Sequence, residues 1–362
     1  MVPTTVAVLG AGNGGKAMAA DLTLRGFAVR LYDRFPEAVA DVQSQGGIML
    51  QGSARSGFAP IATATSDLAE AVTGARVIVI VVPAFAHAAL IGDLVPLLSA
   101  GQTVLFTPGY LSSVLLRRQL SEQRPGVSVL VAETCSLPYA CRLIGPAEVG
   151  LRGVKQALDV AACPAADNAA AVRVLLPLFP ILTLSANVIE VALGNPNPVS
   201  HVPTCLLNYG RMEGPRTSEW HDFEQWVTPS IHKLSDRLDA ERLAVLAGLG
   251  LHGIDQEAWS LRAYGGKAKD PLTTKGQIPA NAMAVPERYI TEDVPMGLVP
   301  LEALGRLAGV PTPVATVLIS LASELHDRDY RQTGRSLRTL GWHDLSAAEI
   351  LKQVTQTDGV GT

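Results

Sequence analysis

Short runs of branched apolar residues alternate with Ala- and Leu-rich stretches through the first half of the chain. Segments 6–9, 28–32, 77–82, 103–106 and 127–131 are each bounded by Gly, Pro or Asp. Between them, 16–25, 36–44 and 87–98 carry apolar residues at helical spacing. Near-continuous apolar strands separated by helices predict a parallel sheet covered on both faces. The expected fold is α/β: an N-terminal Rossmann-type doubly wound parallel sheet over residues 1–186. After about residue 185 the pattern changes to long helical periodicity, clearest at 234–249, 298–309 and 314–325. A mostly α-helical second domain is therefore expected over 187–362. The Asn195-Pro196-Asn197-Pro198 break falls near its start, and a frayed tail is expected from Thr355.

Composition narrows the class. With 362 residues, net charge −4 and 17% charged residues, the chain is not the basic type that binds nucleic acid or anionic membranes. The four cysteines, at 135, 141, 163 and 205, show no CxxC spacing and read as buried thiols of a cytoplasmic protein, with no metal site. No signal peptide is expected ahead of the first strand, and the apolar run 77–86 is far too short to span a bilayer.

The sharpest local signal is Gly10-Ala11-Gly12-Asn13-Gly14-Gly15, between the first strand and the first helix. Gly10 permits the tight turn, Gly12 lets backbone approach a pyrophosphate, and Gly15 lets helix and strand pack closely. The helix N-terminus then offers free N–H groups to phosphate. Asp33, at the end of the second strand, is placed to accept the ribose hydroxyls. Asp33 favours NAD(H), whereas Arg34 beside it keeps NADP(H) open by offering a guanidinium to a 2′-phosphate. Lys16 reads either as a phosphate partner or, more plainly, as a solvated lysine. Two further loops, Val82 to His87 with Pro83 and Phe106 to Gly109, follow strands where such a sheet binds its ligand; each also reads as an ordinary turn.

A nicotinamide enzyme needs a group that moves a proton as hydride moves, and histidine suits that at neutral pH. His201 stands out among seven histidines because it follows the Asn-Pro-Asn-Pro break near the domain junction. It reads equally as a capping or interface histidine. The run Arg288-Tyr289-Ile290-Thr291-Glu292-Asp293 is either a surface charge cluster or a working one. A carboxylate there can hold an imidazole in one tautomer, and an arginine can clamp a substrate carboxylate.

Taken together, GAGNGGKAMAADL, LPYACR (137–142), NPNPVSHVPTCLLN (195–208), LDAERL (238–243), RYITEDVPMGLVPL (288–301), GVPTPV (309–314) and GRSLRTLG (334–341) resemble the octopine/nopaline (opine) dehydrogenase family. The resemblance runs over nearly the whole chain in order. It implies an NAD(P)H-dependent oxidoreductase that condenses an amino acid with an α-keto acid such as pyruvate, giving an N-(carboxyalkyl) amino acid. Carried over by residue, His201 is the expected acid/base, Asp293 its orienting carboxylate and Arg288 the partner of a substrate carboxylate. Cys141 and Arg142 are candidate substrate contacts, or else buried packing or a structural salt bridge, and Asn208 is a third candidate contact. Segment 212–226 is expected to shape the amino-acid pocket. Small-molecule reactants are the expected partners, without nucleic acid or membrane, and a homodimer stays open.

Two rivals remain at this stage. A hydroxyacid or ketopantoate-type dehydrogenase would reduce C=O, but such enzymes use a lysine early in the second domain, and none occurs here between His201 and Lys233. A non-catalytic NAD(P) sensor would need no His201 and Asp293 pair.

Overall fold

The computed structural model describes residues 4–52, 54–214, 223–265 and 287–356. Strands β1 (Thr5–Leu9), β2 (Ala28–Tyr32), β5 (Thr63–Thr65), β6 (Val77–Ile80), β7 (Thr103–Phe106), β8 (Leu130–Thr134), β11 (Leu158–Ala162) and β12 (Leu182–Leu184) form one sheet. Its order is β12-β11-β8-β7-β6-β1-β2-β5, parallel throughout except where β11 meets β8. The chain order reverses between β1 and β6, which creates the crevice where doubly wound sheets bind ligands.

A second sheet was not anticipated. Strands β3 (Gly47–Gly52), β4 (Gly57–Pro60), β9 (Tyr139–Gly145) and β10 (Glu148–Val154) pair in the order β4-β3-β10-β9. It covers the first helix, α1 (Asn13–Leu24), whose other side lies on the main sheet. Every residue from Gly14 to Leu22 is consequently buried, which explains a helix rich in Gly and Ala with no polar face. Lys16 is no surface lysine: it is 5% exposed and its Nζ donates to the Pro146 carbonyl at 2.6 Å. Removal from water lowers its pKa.

The two faces of the main sheet feed different cores. Val6, Val8, Val77 and Val79 pack with α1 and the small sheet. Ala7, Leu9, Ile78 and Ile80 belong to a cluster that continues through Val202, Leu246 and Leu318 of the helical half. The main sheet therefore separates the two cores, and one of them continues from the sheet into the helical half. From Val188 onward the described residues hold no strand. Helices Asn197–Leu207, Pro229–Gly248, Val299–Leu307 and Pro313–Leu325 dominate that half.

Candidate active site

The glycine turn has the geometry a dinucleotide needs. Gly10 has φ of +114°, which L side chains rarely adopt, and a Cβ at Gly15 would overlap the Gly10 carbonyl oxygen. Gly12 is different: a Cβ there would meet nothing within 4 Å, so open space lies over the turn. No side chain caps the N-terminus of α1, leaving its amides for an anion. Asp33 Oδ2 accepts from Ala11 N at 2.7 Å, so the carboxylate is held against this turn. Asn13 Oδ1 accepts from Leu143 N at 2.7 Å, and the Cys141 thiol faces the Asn13 carbonyl. Gly14 packs against Val81 and Leu137. Arg34 is exposed with its guanidinium 5.3 Å from the Phe35 ring centre, and Pro83 is half-buried.

A cavity of about 270 Å³ opens where strand ends meet the helical half, lined among others by Tyr110, Cys141, Arg142, His201, Arg288 and Asp293. His201, on the helix Asn197–Leu207, places Nδ1 2.6 Å from Asp293 Oδ2. The close approach has a cause: a Cβ at Gly297 would collide with the Pro198 ring, so glycine lets the Asp293 segment press against this helix. Asp293 is only 2% exposed and opens the π-helical stretch Val294–Leu298, a distortion frequent at functional sites. With the carboxylate accepting, Nδ1 carries the proton and Nε2 keeps its lone pair. Nε2 has no protein hydrogen bond among the described residues.

Tyr110 is a residue that sequence reasoning missed. Its hydroxyl donates to Asp293 Oδ1, so Asp293 is gripped from both sides. Burial first, then the Asp293 carboxylate, pushes the phenol pKa well above its ordinary value, which keeps it a donor. Tyr110 follows Gly109 in the loop after β7, where a Cβ would run into the Glu133 side chain. Its φ of +52° aims it across to the helical half. The adjacency to a strand-end glycine was the available signal.

Arg288 pairs with Glu292 rather than Asp293, at 2.9 Å. Burial opposes its charge, but Glu292, Tyr289 and Asp293 hold its pKa above the ordinary value. Glu292 Oε1 also accepts from Ala84 N at 2.7 Å, tying the loop after β6 to the helical half. Burial pushes the Glu292 carboxyl up while Arg288 pulls it down. Tyr289 stacks on His201, centroids 3.6 Å apart and planes 5° from parallel, and Phe223 meets the imidazole edge-on.

Cys141 and Arg142 lie in β9 and line the cavity. Burial raises the Cys141 thiol to about 11, so it is no thiolate. Asn208 is not brought to the cavity; its amide donates to the Thr204 and Trp226 carbonyls. The expected pocket segment 212–226 lies largely outside the described residues, as do Trp220, His221 and the tail beyond 356. Among the described residues no cluster suits a metal ion, and no helix is long and apolar enough to cross a membrane.

Residues 184–326 match the family model for the NAD/NADP octopine/nopaline dehydrogenase α-helical domain. Residues 5–110 match that for the NAD-dependent glycerol-3-phosphate dehydrogenase N-terminus. An opine dehydrogenase of Arthrobacter sp. is 35% identical over 97% of this chain and 98% of its own. The chain belongs to the opine dehydrogenase family. It is thus an NAD(P)-dependent oxidoreductase acting on CH–NH donors. A vitopine synthase of Allorhizobium ampelinum is 28% identical over 92% of this chain and 94% of its own. The fold is that of an octopine dehydrogenase solved with NADH and agmatine, TM-score 0.75 at 20% identity, covering 98% of this chain and 99% of that one.

Proposed function

We propose that the chain catalyses the reductive condensation of an amino acid with an α-keto acid, and its reverse, at the His201 cavity. The observation that carries this reading is the imidazole held by Asp293 with Nε2 left for a reactant. Condensation needs a proton delivered to the keto oxygen as the amine nitrogen bonds to carbon, and again as water leaves. His201 is the residue in the cavity suited to both transfers near neutral pH. Asp293 fixes the tautomer and supports the imidazolium formed in between. Tyr110 positions Asp293, and the Tyr289 ring holds the imidazole plane. Arg288 remains half-exposed beside its Glu292 partner and can donate to a reactant carboxylate.

The amides around Gly10, Gly12, Asn13, Gly14 and Gly15 would hold the dinucleotide's phosphates, with Asp33 on the ribose and Pro83 beside the loop that Glu292 anchors. When bound, the dinucleotide supplies the hydride that reduces the imine carbon. NAD(H) over NADP(H) is part of the proposal, since Asp33 faces the turn while Arg34 lies along Phe35. So is a cytoplasmic setting, in keeping with four free, buried cysteines.

The test is NADH oxidation by the purified protein with pyruvate across the proteinogenic amino acids. Oxidation that requires both reactants is expected, and His201→Ala should lower kcat roughly 10²- to 10⁴-fold. Oxidation with keto acid alone would support the hydroxyacid rival, and near-normal turnover of His201→Ala would sink the assignment.

A further inference from the structure

Among the described residues, the charges that line the cavity do not balance. Arg142, Arg152, Lys155 and Arg288 stand against the carboxylates of Glu292 and Asp293. Both carboxylates are engaged, Glu292 by Arg288 and Asp293 by His201 and Tyr110. Lys155 is held by the Leu137 carbonyl at 2.5 Å and lies over the Trp259 and Tyr264 rings. Arg142 donates to the Cys141 carbonyl at 3.0 Å and reaches the Tyr289 hydroxyl only at 3.5 Å. Arg152, half-buried, has no hydrogen bond and no carboxylate within 4.0 Å among the described residues.

The backbone around Arg152 is itself unusual. Along the β9/β10 ladder Leu151 faces Cys141 and Gly153 faces Ala140, so Arg152 is the extra residue of a β-bulge. Bulges break the alternation of side chains and re-aim one of them, often beside active sites. Here the re-aimed residue is a cation lining the cavity that also contains His201. A half-buried guanidinium re-aimed into a cavity, with no partner among the described residues, points to an anion that arrives with the ligand.

The condensation itself brings two carboxylates, one on each reactant. Arg288, 5.5 Å from the centre of the Tyr289 ring, and Arg142, at that residue's hydroxyl, suffice for these. Arg152 exceeds that need. Resting on the function proposed above, we infer that the preferred reactants carry a third carboxylate, bound by Arg152, so that the product is a tricarboxylate. That carboxylate belongs either to the side chain of an aspartate-like or glutamate-like amino acid or to a dicarboxylic keto acid.

The experiment compares kcat/KM for glutamate and glutamine with pyruvate, and for 2-oxoglutarate and pyruvate with a neutral amino acid, in wild type, Arg152→Gln and Arg152→Lys. A preference for glutamate locates the third carboxylate on the amino acid, and a preference for 2-oxoglutarate locates it on the keto acid. In either case Arg152→Gln should shift the charged-to-neutral ratio by roughly 10- to 100-fold toward the neutral reactant, as expected for a lost charge-assisted hydrogen bond. Arg152→Lys should recover part of it. Equal losses on charged and neutral reactants would make Arg152 a structural residue and overturn the inference. So would a wild-type preference for neutral reactants, although the condensation reading would survive both. No oxidation with these pairs while another amino acid is accepted with pyruvate would overturn the inference alone, whereas no oxidation with any proteinogenic amino acid would defeat the condensation reading itself.

Discussion

A buried carboxylate that accepts from a histidine on one oxygen and a tyrosine on the other has little freedom to turn. Asp293 is held in this way, with the two donors coming from different halves of the molecule. Asp293→Asn would present an amide in place of one acceptor and let the imidazole adopt the wrong tautomer. Turnover should fall roughly 100-fold or more while NADH affinity, measured by fluorescence titration, stays within about twofold. Tyr110→Phe removes only one hydroxyl, so a loss nearer tenfold in kcat is expected, with KM for NADH little changed. An unchanged kcat would remove Tyr110 from the positioning network. His201, Asp293 and Arg288 were legible in the sequence through their family resemblance, whereas Tyr110 and Tyr289 were not. Their roles depend on the third dimension: one crosses from the other domain and one lies flat on an imidazole, and neither leaves a periodic trace.

At the scale of elements, the glycine turn separates folding from binding within one motif. Gly15→Ala would drive a methyl group into the Gly10 carbonyl, whereas Gly12→Ala would point one into open space. The first should cost about 3 kcal/mol or more in thermal unfolding. The second should leave Tm nearly unchanged and raise the Kd for NADH at least about tenfold, because the methyl group occupies the phosphate's approach. If Gly12→Ala bound NADH normally, the turn would not be the phosphate site. Strands β1, β2, β6 and β7 were readable as apolar runs because a parallel sheet buries both faces. The β3-β4-β9-β10 sheet was not. Its segments contain Gly, Arg and Pro, and two of its three pairings join distant or bulged stretches that no local period reports. That sheet also explains the misjudged Lys16, since a helix covered on both sides has no solvated face.

Across the whole molecule, a buried polar network fastens the chain's C-terminal part to the Rossmann sheet. His87, fully buried, contacts Ser112 Oγ at 2.6 Å and the Val82 carbonyl at 3.0 Å. Arg335 donates to the same Ser112 hydroxyl at 2.6 Å and to the Ala84 carbonyl. Burial, reinforced by the Arg335 charge, lowers the His87 pKa to about 3, so the folded protein keeps it neutral. The unfolded chain takes up that proton below about pH 6.5, so stability falls as pH drops from there toward about 3. The slope is about 1.4 kcal/mol per pH unit, which amounts to about 2 kcal/mol lost at pH 5. Thermal unfolding from pH 7 to 5 should show this fall, and His87→Asn should flatten it; an equally steep fall in the variant would place the acid sensitivity elsewhere. Net charge −4 likewise gives no hint of the four cations among the cavity's described residues, because whole-chain composition averages away a local field.

If condensation precedes reduction, hydride reaches an imine carbon formed from two reactants at His201, and mass analysis of the product made from NADH dideuterated at C4, pyruvate and an accepted amino acid shows whether it does. The expected product is a secondary amine that joins both reactants with loss of one water and carries a single deuterium on the former keto carbon. Deuterated lactate formed in its place, with the amino acid untouched, would contradict it.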